Sequence, residues 1–439
     1  MISGLLSKLP NSQTPKLPDS QTPKLSASQT PKLPNMKQRI QMVVLDDDPT
    51  GIQTVHGCLL ITDWHDEYVR QGFMHEQPFF YILTNTRAMT RDEAEAVTRE
   101  AMEAVVRVND EYRRRLIIVS RSDSCLRGHF PLETDVMEEV LTAHGYHVRR
   151  PVPFCPAFIE AGRVTIDGTH YMKDGDRLVP TSETEFARDN VFGYHTSVLR
   201  DYIAEKGARA DDYQIVDAQG YDELNSFADQ IKKELTQADE KTAVVIRSSS
   251  SLPRALSGIS DQPLLDRSIL KAKEGVGCFV VGSHVAKTTR QLEKLLSAEG
   301  TAGIEVDVQQ ILEAPEEQME TVLRDIKSAA TAGKTPVVYT SRREVRIADA
   351  DERQHLGQRV SDYLVEIVRR LPFTPAYLVG KGGITSNDIM TKGLGVKTAK
   401  VLGQVISSVP CIMTAHFPYI IFPGNVGDDE SLKIIDYRL

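Results

Sequence analysis

Cysteine is scarce in this chain, and what there is stands unpaired. Five cysteines lie at 58, 125, 155, 278 and 411, with no Cys-x-x-Cys spacing and an odd total. A disulfide framework is excluded, and reduced thiols in a cytoplasmic protein are expected. No run of about 18 apolar residues is present, so no segment is expected to span a membrane. The opening Met1-Ile-Ser-Gly-Leu-Leu-Ser-Lys8 is too short and too interrupted for a signal peptide. An excess of basic residues is also missing. Lys and Arg number 52 against 61 Asp and Glu, a net charge of −9. That balance argues against nucleic acid as a partner, which needs a basic footprint. The eleven histidines show neither His-x-x-x-His nor His-Glu-x-x-His spacing, so the usual zinc patterns are excluded. The P-loop pattern is lacking, and so is Gly-x-Gly-x-x-Gly with its ribose-binding acid, which ranks an NAD-dependent oxidoreductase low.

What is present begins with a repeat of period eight: KLPNSQTP from Lys8, KLPDSQTP from Lys16, KLSASQTP from Lys24, and a fourth start at Lys32. Prolines block helix, and one leucine per unit cannot build a core. Residues 1–35 are expected to be a disordered tail, with four lysines against one aspartate. Met36 looks like a natural chain start.

The remainder alternates short apolar runs with helical stretches. The runs are Met42–Leu45, Phe79–Leu83, Leu116–Val119, Ala243–Ile246, Cys278–Val281, Pro336–Tyr339, Ala376–Val379 and Tyr419–Phe422. Such Val- and Ile-rich segments suit strands buried on both faces. Thr90-Arg-Asp-Glu93 is a capping-box pattern opening a helix, and Ala286–Ala298 reads as another. The expected fold is α/β: two α/β domains with mainly parallel sheets facing a central cleft, at residues 36–240 and 241–439.

Most of these runs end in a polar loop, and ligands of open α/β sheets sit beyond strand carboxyl ends. Asp46-Asp47-Asp48-Pro49-Thr50-Gly51 follows the first run. Its carboxylates suit magnesium, a substrate hydroxyl or general-base work, while the same residues also make good turn chemistry. Arg87 and Arg121 each follow a strand and present a planar fork that fits an anion; surface ion pairing is the alternative. Asp123, between Ser122 and Ser124, could accept a hydroxyl proton, orient Arg121 or cap a helix. Gly380-Lys-Gly-Gly-Ile-Thr-Ser386 joins a strand to a helix, where free amides attract phosphate. Gly282-Ser283 and Pro423-Gly-Asn-Val-Gly427 repeat that chemistry. Carboxylates and arginines fill the first half; glycines, hydroxyls and amides fill the second.

Six of these motifs, in order over residues ~40–435, resemble the four-carbon acid sugar kinases. They are Asp47-Asp48-Pro49-Thr50-Gly51, Thr86-Arg87, Arg121-Ser122-Asp123-Ser124 with Leu126-Arg127-Gly128, Gly282-Ser283, Gly382-Gly383-Ile384-Thr385-Ser386, and Gly424-Asn425-Val426-Gly427. Arg121 stands where the better-known members usually have Lys, and the block formed by Cys155–Arg163, Thr165–His170 and Thr181–Asp189 resembles a divergent branch of that family.

The resemblance implies an ATP- and Mg2+-dependent kinase acting on a hydroxyl of threonate, erythronate or an oxo-tetronate. It implies that Asp47, Asp48, Arg87, Arg121, Ser122, Asp123 and Ser124 hold the substrate. Asp47, Asp48 or Asp123 would act as base, and Ser283, Gly382, Gly383, Ile384, Thr385 and Gly424 would hold ATP. It leaves a homodimer possible. A non-catalytic protein binding an acid sugar or nucleotide is the rival from another class.

Overall fold

The computed structural model describes residues 39–270, 274–342, 350–424 and 426–439. The expected tail, the start at Met36 and Asn425 lie outside the described residues. All eight apolar runs lie wholly or partly in strands. The run Ala376–Val379 is displaced: its strand is Leu378–Lys381, carried two residues into the glycine-rich turn.

Ile40–Asp46 is the pivot of the first half. It pairs in parallel with Phe79–Leu83 on one side and with Arg115–Arg121 on the other. Beyond Arg115–Arg121 lies Thr242–Ser248, then Val152–Cys155. Chain order therefore reverses at the end of Ile40–Asp46, which puts the Asp46–Asp48 loop at a switch point. The second half repeats the arrangement. Cys278–Val281 lies between Leu378–Lys381 and Thr335–Thr340, and Ser283 follows its carboxyl end. Pro418–Phe422 and Thr301–Val306 flank this group in parallel.

The two parallel groups are not separate sheets. Leu59–Ile61 extends the first group in parallel beside Phe79–Leu83, and Thr398–Ile406 and Val409–Met413 join it to the second through antiparallel pairing, giving one fifteen-stranded sheet among the described residues. Alternating burial along Thr398–Ile406 reflects a strand with one covered face, a pattern too mixed to stand out beside continuous runs. A three-stranded antiparallel sheet, Arg163–Ile166, Thr169–Asp174 and Arg177–Pro180, lies apart from the large one.

Helices cover the sheet. Arg91–Tyr112 begins as its sequence dictates: the Thr90 hydroxyl accepts from the Glu93 amide, and the Glu93 carboxylate accepts from the Thr90 amide and hydroxyl. The apolar face of this helix buries Ala94, Ala101, Met102 and Val105 against the first half's sheet. Ala286–Leu296 stops two residues short of the sequence expectation. All five cysteines are buried and free. Among the described residues no helix is long and apolar enough to cross a membrane.

Candidate active site

The carboxyl end of Ile40–Asp46 delivers three aspartates into a nest of arginines. Asp46 is fully buried and accepts from Arg121 Nη1 at 3.0 Å. Its Oδ2 has no donor. Burial lifts this carboxyl to about 7 against the pull of Arg121. Gly51 lies directly against it: a Cβ there would come within 2.0 Å of Oδ2, so the turn has room for no side chain.

Asp47 is also buried and accepts from the Ser122 hydroxyl at 2.7 Å. Burial raises its carboxyl, opposed by Arg87 and Arg121. Asp48 is more open. Its Oδ1 accepts from the Thr50 amide at 2.8 Å and from the Thr50 hydroxyl, and its Oδ2 pairs with Arg87 Nη2 at 2.6 Å. Burial would raise Asp48, but Arg87, Arg121 and the Thr50 donors together hold it below its ordinary value.

Arg87 is the hub. It lies 3.4 Å from Asp47, 2.6 Å from Asp48 and 3.5 Å from Asp123. Arg121 reaches Asp46 and Asp47 with Nη1, while Nη2 donates to Ser250 Oγ at 3.0 Å. Asp123 Oδ2 accepts from Arg127 Nε at 2.7 Å. Burial raises Asp123, but Arg127 and Arg87 outweigh it and set the group at about 2. Gly128 closes the motif at φ +130°, where a Cβ would lie 2.4 Å from Ser122 Oγ and 2.9 Å from Arg247. Ser124 is buried, and its carbonyl accepts from His170 Nε2 at 2.8 Å.

The second half presents three loops stitched by backbone. Gly382 N donates to Phe422 O at 2.9 Å. The Ser283 hydroxyl lies 3.0 Å from that of Thr288, which donates to Gly424 O at 3.0 Å. Arg342 Nη1 donates to Ser283 O at 2.6 Å. Behind them Lys381 is wholly buried, donating to Pro423 O at 2.6 Å and Gly424 O at 3.2 Å across the Phe422 ring. Burial, with Lys287 adding to it, pulls this amine down to about 7.

A cavity of about 570 Å³ is lined by both halves: Asp48, Arg87, Arg121, Asp123 and Ser124 on one wall, Lys287, Gly383, Pro423 and Gly424 on the other. Asp47 and Ser122 do not reach it and stand behind the first wall. Gly282, Ile384 and Thr385 line a second cavity of about 670 Å³, with Val308, Val360 and Leu364. Ile384 is 68% exposed there, and a Cβ on Gly383 would meet nothing within 4 Å.

Residue-type reasoning did not single out Arg127, Arg163, Phe158, Phe186 or Lys287, which also line the first cavity. Arg127 stood in the Leu126-Arg127-Gly128 motif and could have been taken from it. Arg163 and Phe186 stood in the block that resembles a divergent branch but carried no role there, because only folding brings the small sheet and its neighbours to the aspartate loop.

Comparison with known proteins gives a consistent picture. A model described as a sugar-binding N-terminal domain matches residues 42–246, and one described as a nucleotide-binding C-terminal domain matches residues 278–432. No curated protein matches the chain. A Haemophilus influenzae protein of a family described as a domain of unknown function is 16% identical, with a TM-score of 0.59. That match covers 90% of this chain and 99% of the other. A Salmonella typhimurium LT2 protein provisionally labelled a tRNA synthase is also 16% identical, with a TM-score of 0.65. It covers 91% of this chain and 98% of its own. At such identities the likeness to solved structures speaks for the fold alone.

Proposed function

Since the chain belongs to the four-carbon acid sugar kinase family, we propose that it transfers the γ-phosphoryl group of ATP to a hydroxyl of a short polyhydroxy carboxylate. The observation that carries this reading is the shared cavity. Charged side chains from 48 to 127 face backbone of 383 and 424 across one space.

The acid sugar lies against the first wall. Asp48 has both carboxylate oxygens engaged, by Thr50 and by Arg87. Asp123 has one oxygen tied to Arg127 and the other only 3.5 Å from Arg87. Asp123 Oδ1 is therefore the acceptor best placed to take a hydrogen bond from the attacking hydroxyl and, late in the reaction, its proton. Such transfers are governed by positioning and charge more than by base strength, so a carboxylate held near 2 is adequate. Asp47 holds Arg87 and Arg121 from behind, and the Ser122 hydroxyl holds Asp47. The assignments of Asp48, Arg87, Arg121, Asp123 and Ser124 to substrate, and of Ser283, Gly382 to Thr385 and Gly424 to ATP, are part of this proposal, with Asp47 and Ser122 acting from behind the first wall.

The nucleotide fits the second wall on two grounds. The space in front of Gly383 is open to a ligand, and the mixed apolar and hydroxyl lining around Thr385 suits a base and ribose. Thr385, Gly383 and Gly424 would hold it. Among the described residues no group of three or more metal-ligating side chains is gathered. Mg2+ entering with ATP would supply charge neutralisation at the phosphates.

A thermal-shift panel of ATP with threonate, erythronate and oxo-tetronates, followed by an ADP-release assay, tests the proposal. Acid-dependent ADP release is expected. Stabilisation by both ligands without turnover would establish the non-catalytic binding reading instead.

A further inference from the structure

Four arginines line the first cavity, and three have their charge matched. Arg87 faces Asp47, Asp48 and Asp123; Arg121 faces Asp46 and Asp47; Arg127 faces Asp123 and Asp189. Arg163 differs. Among the described residues no carboxylate lies within ion-pair distance of it. Its polar contacts are neutral ones, the carbonyl of Ala161, which accepts from Nη1, and the Cys125 thiol, and its Nε is buried with no hydrogen-bond partner.

A guanidinium offers five donors and is the most forgiving cation to bury, but an unmatched one with an orphaned donor is costly. Its position is not left to chance. The Arg163 amide donates to Phe158 O, and its carbonyl accepts from the Phe158 amide, both at 2.9 Å. Gly162, at φ +72°, makes the turn between them. The turn before it is anchored in the first half: the Ile159 amide donates to Ser251 Oγ at 2.9 Å, and Glu160 pairs with Arg254 at 3.0 Å. A pre-set cation at a cavity wall is what recognition of a small anion requires.

We propose that Arg163 is the specificity-determining residue that takes the carboxylate of the acid sugar, while Arg87 and Arg121 serve chiefly to hold the aspartates that face its hydroxyls. This deepens the kinase reading and rests on it. Phe158 and Phe186, which line the same cavity, would cover the carbon chain. The enzyme would then select acids over neutral polyols of equal length.

Arg163→Gln should raise KM for threonate or erythronate about 10- to 100-fold, with KM for ATP and thermal stability unchanged and kcat little altered. It should also erase most of the wild-type preference for these acids over erythritol, the same chain without a carboxylate. Arg163→Lys should recover part of that preference, because charge returns without the fork. A folded R163Q with wild-type KM and undiminished preference overturns the proposal. Calorimetric titration of threonate and erythronate into wild type and R163Q, without nucleotide, separates it from the kinase reading. Weaker binding by the variant supports the carboxylate site even when no acid is turned over, an outcome that refutes the kinase reading alone. Equal binding by the two proteins refutes the role of Arg163, and no binding of either acid by either protein refutes both.

Discussion

The two walls of the cavity do their work with different parts of the chain. The first is built of side chains: buried aspartates and arginines, each oriented by another, with Gly51 and Gly128 present because neighbouring polar groups fill the space a Cβ would take. The second is built of backbone: turns held by main-chain and hydroxyl bonds, with Gly383 facing open space. One wall carries its charge in fixed side chains and can discriminate among small anions. The other offers generic donors suited to phosphate, whose recognition needs little beyond amides and shape. Substitutions should therefore separate the walls.

The largest effect is expected at Asp123. Asp123→Asn keeps the shape but removes the charge that can take the hydroxyl proton, and it loosens Arg127 and Arg87. kcat should fall about 10²- to 10⁴-fold in the ADP-release assay, with KM for ATP unmoved. A variant that retains turnover would shift the acceptor role to Asp48.

Next is the pair Arg87→Ala and Thr385→Val. The first should lower kcat/KM for the acid about 10- to 100-fold and leave ATP affinity within experimental error, because one charged donor set is removed. The second replaces a hydroxyl by a methyl of similar size and should raise KM for ATP about 3- to 10-fold with the fold intact. Equal loss of both ligands in either variant would break the division of labour between the walls.

Glycines give a smaller and sharper contrast. Gly51→Ala forces a methyl into the Asp46 carboxylate and should cost about 1–3 kcal/mol in denaturant titration. Gly383→Ala meets nothing and should stay within about 0.5 kcal/mol of wild type, yet it should weaken ATP binding.

A last contrast, outside the comparison of single-ligand effects, concerns pH. Asp46 is raised by burial from 3.8 to about 7, so the folded protein holds that proton more tightly than the unfolded chain. Its contribution favours folding at low pH and is lost as pH rises from about 4 to about 7. Lys381 is lowered by burial from 10.5 to about 7, so its cost is full below pH 7 and fades toward 10.5. Asp46→Asn should flatten the acid limb of a stability–pH profile, and Lys381→Met the alkaline limb. Either variant flattening both limbs would mean that the two groups titrate as one system.

Much of the fold was legible beforehand for a simple reason. Strands buried on both faces need unbroken apolar runs, and all eight such runs are strands wholly or in part. The capping box at Thr90–Glu93 was legible because it is a local exchange of hydrogen bonds. The antiparallel strands Thr398–Ile406 and Val409–Met413, which weld the halves into one sheet, were not foreseen: the first mixes polar and apolar residues because only one face is covered, and the second, though almost wholly buried, is a short run interrupted by Pro410. Among the candidate residues, Asp48, Arg87, Arg121, Asp123, Ser124, Gly383 and Gly424 share a cavity. Thr385 and Ile384 open onto the neighbouring one, and Asp47 lies behind the wall of the first.

Local rules acting on the chain alone determined where strands end and which chemistry each following loop holds, because periodicity and turn preference operate over a few residues. Only the tertiary structure decided how charge is shared. The pairing of Arg87 with three aspartates, the burial of Lys381 beneath Pro423 and Gly424, and the unmatched guanidinium of Arg163 depend on segments far apart in the chain meeting in one space. Electrostatic partners are set by distance and burial, and neither quantity exists until the chain has folded.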